Sequence, residues 1–115
     1  MTTILDEYTR AVLRRARETY GNINQILVSM GELNELAAAC AKYPRYKKHE
    51  TAVMRTRDEV LDECADVLNS LDHIVNIYGF TDEELRDRAH LKAARLERWI
   101  ESGPDMEITT VDRDV

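Results

Sequence analysis

Hydrophobic residues recur every three or four positions along most of the chain, which is the spacing of one face of an α-helix. The first such segment predicts a helix from Thr3 to about Tyr20, ahead of Gly21. Its apolar positions share one face: Ile4, Leu5, Tyr8, Val12, Ala16 and Tyr20. The opposite face carries four arginines: Arg10, Arg14, Arg15 and Arg17.

The second segment predicts a helix that begins at Asn22 and ends near Pro44. Gln25, three residues after Asn22, completes the pattern of a capping box. We expect the apolar stripe of this helix to face the core; it contains Ile23, Ile26, Leu27, Met30, Leu33, Ala37 and Cys40. The basic stretch over residues 43–50 is predicted to be a loop.

The third segment predicts the longest helix, which ends at Tyr78 because Gly79 favours a left-handed stop. Thr81 with Glu84 predicts a second capping box, and the fourth helix ends at the Ser-Gly-Pro sequence of residues 102–104. Short connections favour antiparallel neighbours. The fold class is therefore predicted as all-α, a four-helix bundle-like single domain over residues 1–103 with a C-terminal tail over residues 104–115.

Composition and charge narrow the class of protein. With 43% hydrophobic and 33% charged residues, the chain matches a globular helical protein. Its net charge of −6 argues against nucleic acid as a partner, so an anionic ligand needs local positive charge. No signal sequence and no long apolar stretch is recognised, which predicts a cytoplasmic protein that does not enter the membrane. Cys40 and Cys64 are expected to be buried thiols without a role.

Two pairs of acidic residues are spaced three apart beside the apolar stripes of consecutive helices: Glu32 with Glu35, and Glu63 with Asp66. Residues i and i+3 lie on one side of a helix, so the pairs can converge if the helices pack side by side. Four converging carboxylates favour a hard divalent cation, Mg²⁺ or Mn²⁺. The spacing alone leaves solvated helix faces open, because similar pairs occur at residues 59/62 and 84/87.

The order of these motifs resembles the MazG-like, all-α nucleotide pyrophosphohydrolase superfamily, whose hallmark is E-x-x-E, a spacer and then E-x-x-D. The resemblance rests on GELNEL, on DECADVLNSLDHIVNIYGFTDEEL and on KAARLERW, and it covers residues 25–99. It implies a helical bundle that assembles as a homodimer or homotetramer. It also implies Mg²⁺-dependent cleavage of nucleoside triphosphates to monophosphate and pyrophosphate.

Carried onto this chain, the resemblance implies four metal ligands: Glu32, Glu35, Glu63 and Asp66. Glu35 and Glu63 are the candidates for the catalytic base that accepts a proton from water. Lys92 and Arg95 correspond to the residues that contact phosphates in similar proteins, although Lys92 can also extend along the helix surface to solvent. Asn69 is a candidate contact to substrate sugar or base, as is His73, and an exposed polar position without such a role is the alternative for both.

Two further functions are compatible with the sequence. One is the related phosphoribosyl-ATP pyrophosphohydrolase, in which a His usually follows the motif Asp by four residues; this chain has Ser70 there. The other is a helical interaction protein that binds metal or nucleotide without turnover. Gly31 keeps the interaction protein open as an alternative, since many members of the superfamily carry a Glu immediately before the first motif glutamate.

Overall fold

The computed structural model describes residues 4–42 and 50–103, with side chains from residue 57 onward in the second range, and all regular structure in these ranges is helical. It consists of four helices: α1 (Glu7–Tyr20), α2 (Asn22–Cys40), α3 (Glu50–Tyr78) and α4 (Asp82–Ser102). The all-α prediction is therefore confirmed for this part of the chain. Most of the predicted loop at 43–50 and the predicted tail at 104–115 lie outside the described residues.

The start of α1 differs from the sequence-based prediction. The helix begins at Glu7, because the carboxylate of Asp6 accepts a hydrogen bond from the backbone N–H of Thr9 at 2.8 Å. This contact satisfies one of the free N–H groups of the first turn and fixes the boundary there. The predicted start at Thr3 was therefore wrong.

The ends of α2 also differ from the prediction. Gly21, with a φ of 90°, precedes the first turn, and no side chain caps it. The predicted capping box of Asn22 and Gln25 is wrong, since Gln25 is buried on the packed side of the helix. The helix ends at Cys40, several residues before the predicted end near Pro44.

The boundary between α3 and α4 was predicted correctly. Helix α3 is the longest described helix, at 29 residues, and it is followed by Gly79 with a φ of 74°. The Thr81 hydroxyl accepts from the backbone N–H of Glu84 at 3.0 Å, and the Glu84 carboxylate accepts from the N–H of Thr81 at 3.1 Å. This reciprocal capping box begins α4, which ends at Ser102 before Gly103.

The helices fall into two compact units, over residues 1–79 and 80–115. In the first unit α2 packs along α3, and α1 contacts both. Lys42, just after α2, forms a 2.6 Å ion pair with Glu59 of α3. Residues 32 and 35, earlier in α2, meet residues 63 and 66, later in α3. Helices α2 and α3 therefore run antiparallel. The second unit contains α4. A single domain over residues 1–103 stays a prediction.

The face of α2 that packs against α3 is more polar than its sequence indicates. Positions that follow the helical repeat are buried or half-buried: Gln25, Ser29, Glu32, Leu36 and Ala39. In the described part of the chain, Ala39 is the one hydrophobic side chain that is buried. The predicted core stripe is largely exposed, with Ile23 at 77%, Leu27 at 60% and Met30 at 55% exposure. The expected orientation of α2 was therefore wrong.

Two other expectations concern cysteine and the membrane. Cys40 and Cys64 are free and exposed, so the prediction that they are buried thiols was wrong. Cys40 follows Ala39 and Cys64 follows Glu63, both on the packed face. Because successive helical residues point in different directions around the axis, the side chains of both cysteines face outward.

None of the helices in the described ranges combines the length and the hydrophobicity needed to cross a bilayer.

Candidate functional site

Two acidic pairs meet where the middle of α2 packs against α3. Glu32 and Glu35 come from α2, and Glu63 and Asp66 come from α3. One carboxylate oxygen from each residue can be chosen so that all four lie within 4.8 Å of one another. The i, i+3 spacing places each pair on one side of its helix, and the antiparallel packing brings the two pairs together. These four residues are called the acidic cluster below.

Burial divides the acidic cluster into an inner and an outer half. Glu32 and Glu63 are half-buried, whereas Glu35 and Asp66 are exposed. The inner carboxylates each contain an oxygen, Oε2, that is buried and has no hydrogen-bond partner among the described residues. A buried carboxylate oxygen without a donor is costly, so these two atoms are open positions for an electropositive ligand.

The shared negative charge makes ionisation of the inner carboxylates unfavourable. Burial raises the pKa of Glu32 to about 7, and the nearby charges of Asp66 and Glu35 add to this effect. Burial also raises the pKa of Glu63, again with contributions from the charges of Glu35 and Asp66. No cationic side chain forms an ion pair with the cluster in the part of the chain that the structure describes. Protonation and a bound cation are two ways in which this repulsion can be relieved.

The donor set fits Mg²⁺ or Mn²⁺. Both cations prefer oxygen ligands, and Mg²⁺ is commonly held by a few carboxylates while phosphate oxygens or waters complete its coordination. Four carboxylates at one place, two of them reaching solvent, provide such an arrangement. The role of these residues as metal ligands stays a prediction.

The other residues predicted to act at the site lie on α3 and α4. Asn69 is half-buried and follows Asp66 by three positions on α3, so it lies on the same side of the helix, one turn away. Lys92 and Arg95 are exposed on α4, which belongs to the second unit. Their exposure leaves both cations accessible to an anionic ligand.

A second polar cluster on α3 was not predicted from the sequence. Arg17 of α1 points its Nη1 at Asp72 Oδ2, at 3.4 Å, and at His73 Nδ1, at 3.0 Å. Asp72 and His73 are buried, and the Arg17 side chain is 11% exposed. Because a guanidinium can only donate, His73 Nδ1 is the acceptor and the ring proton lies on Nε2. Arg17, Asp72 and His73 are called the Arg17 cluster below.

The environment of His73 keeps its ring neutral. Burial lowers its pKa from the ordinary value of 6.5, the Arg17 charge lowers it further, and Asp72 opposes the shift. The sequence placed His73 among exposed polar residues, and that interpretation was wrong. Adjacent acidic and imidazole side chains on α3, together with an arginine row on α1, are the signal that could have indicated the contact.

Comparisons of the chain with protein-family models, with curated proteins and with solved structures found no match. The acidic cluster and the motif resemblance are therefore the grounds on which a function can be inferred.

Proposed function

We propose that this chain is a Mg²⁺-dependent nucleoside triphosphate pyrophosphohydrolase that releases nucleoside monophosphate and pyrophosphate. The observation that carries the proposal is the meeting of four carboxylates between α2 and α3, with two buried oxygens that have no partner among the described residues. A cation bound there would neutralise the carboxylates, and Mn²⁺ is the alternative to Mg²⁺. The reaction itself comes from the resemblance to the MazG-like superfamily.

In this proposal the acidic cluster holds the metal and also moves a proton. Glu32 and Asp66 act as ligands, and so do Glu35 and Glu63. These residues would hold Mg²⁺, which when bound would supply neutralisation of the triphosphate charge and activation of water. Either Glu35 or Glu63 accepts the proton of the attacking water, since a carboxylate that keeps one oxygen free can act as a general base.

Positively charged residues complete the proposed site. Lys92 and Arg95 bind the phosphates and steady the leaving pyrophosphate from a neighbouring subunit of a homo-oligomer. Asn69 contacts the sugar or base from its position one turn beyond Asp66. The exposure of Ile23, Leu27 and other apolar residues of α2 supports a homodimer or homotetramer, since a contiguous apolar face is typical of a subunit interface.

The test is product analysis with a panel of ribo- and deoxyribonucleoside triphosphates, in Mg²⁺ and in chelator, with pyrophosphate and orthophosphate measured separately. We expect pyrophosphate and monophosphate from one or more nucleotides in Mg²⁺ alone. Glu63→Gln and Asp66→Asn should each lower kcat/KM by about a hundredfold or more, because each removes a charged metal ligand.

The matched control is Asp62→Asn. Asp62 is exposed on the same helix, next to Glu63 and outside the acidic cluster, so its replacement removes equal charge without removing a ligand. Its activity should stay within about threefold of wild type. Absence of turnover on the whole panel, or equal activity of Glu63→Gln and Asp62→Asn, would contradict the proposal. Stabilisation by Mg²⁺ and nucleotide without product would instead indicate a binding protein.

A further inference from the structure

Helix α2 has a second side, opposite to the one that packs on α3. Successive residues of an α-helix are turned by about 100°, so residues three or four apart share a side. The side opposite to Gln25 and Ser29 is exposed along the whole helix and is called the outer face below. It consists of Ile23, Leu27, Met30, Asn34 and Ala37, followed by Ala41 just beyond the helix.

The outer face carries no charge. Although 33% of the residues of the chain are charged, the charged residues of α2 are Glu32 and Glu35 alone, and both belong to the acidic cluster. A helix face that stays in water normally carries charged and polar side chains. On the outer face, Ile23, Leu27 and Met30 are each more than half exposed. Such a face is typical of a surface that a partner covers, and a charged partner would find no counter-charge on it.

The outer face also changes in side-chain size along the helix. Its first half presents large side chains up to Leu27 and Met30, and its second half presents the smaller side chains of Asn34 and Ala37. Two copies of α2 that meet antiparallel place the large half of each helix on the small half of the other. In the register that pairs Met30 with the partner's Asn34, Leu27 meets the partner's Ala37. Parallel copies would instead set large against large and leave a gap beside the small halves.

We propose that two copies of this chain associate through their outer faces, with the α2 helices antiparallel about a twofold axis between Met30 and Asn34. Both copies then offer the same self-complementary surface, and no like charges meet across it. The small side chains of the second half allow the helix axes to approach to about 8 Å. The inference deepens the proposed function, resting on its homo-oligomer and not on its hydrolysis.

Sedimentation equilibrium of the full chain, without metal or nucleotide, tests the association. We expect wild type to sediment at twice the chain mass. Leu27→Glu should raise the dissociation constant at least about a hundredfold, because each copy then buries an unpaired charge. Leu27 is exposed within one copy, so the packing of α2 on α3 should not change. A monomeric wild type would overturn the proposal, as would a Leu27→Glu variant that associates as wild type does.

The matched control is Leu61→Glu, which introduces the same charge in place of the same residue type. Leu61 is 55% exposed on α3, and it precedes Glu63 by two positions. Its side chain is therefore turned about 200° around the helix axis from the acidic cluster and from α2. The dissociation constant of this variant should stay within about twofold of wild type. An equal loss of association in Leu61→Glu and Leu27→Glu would contradict the assignment to the outer face.

Disulfide formation between copies tests the antiparallel register. The native thiols are removed by Cys40→Ser and Cys64→Ser, and chains with Leu27→Cys are refolded together with chains that carry Ala37→Cys. The mixture should yield at least about fivefold more crosslinked dimer than either variant alone, because the register brings positions 27 and 37 of the two copies within disulfide reach. Equal yields in all three samples would overturn the register. This experiment also decides if circular dichroism shows that Leu27→Glu is unfolded.

Product analysis separates this inference from the proposed function. A wild type that associates through the outer face but releases no pyrophosphate from any nucleotide would contradict the proposed function and leave the paired α2 helices standing. Pyrophosphate release by a protein that stays monomeric would do the reverse.

Discussion

Helix α3 carries two polar clusters that balance their charges in opposite ways. In the Arg17 cluster, a guanidinium meets a carboxylate and an imidazole, so the buried groups satisfy one another. In the acidic cluster, four carboxylates meet without a cation among the described side chains, and two oxygens lack partners. Asp66 and Asp72 are separated by six positions, about 9 Å along the helix axis. One helix thus contains a neutralised contact and an unbalanced one.

The difference indicates what each cluster does. A buried polar group that is paired within the protein can hold elements together, and the Arg17 cluster joins α1 to α3 across 55 positions of sequence. A set of like charges weakens the folded state unless a ligand neutralises it. The folded chain therefore accepts an unfavourable arrangement at the acidic cluster, which is typical of a functional site.

The largest effect expected is stabilisation by Mg²⁺. At a free concentration of about one hundred times its dissociation constant, a ligand of the folded state raises the free energy of unfolding by about 2.7 kcal/mol. Thermal denaturation in Mg²⁺, compared with NaCl of equal ionic strength, measures this. Glu63→Gln should lose most of the gain, whereas Asp72→Asn should retain it. Equal gains in the two variants would mean that Mg²⁺ acts elsewhere.

The next effect is destabilisation by Asp72→Asn in metal-free buffer. This change keeps the shape of the side chain but leaves the largely buried guanidinium of Arg17 without its counter-charge, at a cost of about 2 kcal/mol. Asp66→Asn, on the same helix, should be neutral or stabilising because it removes a repulsive charge. Urea denaturation of both variants tests the contrast, which a similar loss of stability in both would refute.

The smallest effect is a pair of opposite pH dependences in metal-free buffer. Glu32, with a pKa of about 7 in the folded chain against 4.5 ordinarily, binds more protons when folded, so its contribution to the free energy of unfolding falls as pH rises through this window. His73 has a lowered pKa, so its contribution falls as pH drops below 6.5. Each amounts to about 1 kcal/mol or less after solvent screening.

Single variants separate these two contributions. Glu32→Gln should retain the rise in stability with pH that comes from His73, and His73→Asn should retain the fall that comes from the acidic cluster. Urea denaturation at pH values from 5 to about 7.5 measures both profiles. Parallel profiles for Glu32→Gln and wild type would show that Glu32 titrates at its ordinary pKa.

Local features of the fold were the ones that the sequence predicted well. Gly79, the capping pair of Thr81 and Glu84, and the end of α4 at Ser102 are set by residues within a few positions of one another. The meeting of the two acidic pairs also followed from local spacing, once two neighbouring helices were assumed to pack. Helix boundaries set by capping residues, and i, i+3 pairs on one helix face, can be predicted without knowing which distant residues come into contact.

The orientation of α2 and the Arg17 cluster could not be predicted in the same way. The stripe of Ile23, Leu27 and Met30 is the most hydrophobic face of α2, and in a chain without partners such a face belongs in the core. Instead α2 packs on α3 through Gln25 and Ser29, where the Ser29 hydroxyl donates to the Gln25 carbonyl at 2.7 Å. Which face packs depends on the tertiary arrangement, as does a contact between residues 55 positions apart.

The two exposed cysteines make the packing of α2 and α3 measurable in solution. Cys40 lies at the end of α2, and Cys64 follows Glu63 on α3, so the native chain carries one thiol on each of the two antiparallel helices. Spin labels attached to both thiols would report the distance between the helices by electron paramagnetic resonance without any introduced cysteine. The label on Cys64 would also lie beside the acidic cluster, where paramagnetic Mn²⁺ would shorten its relaxation.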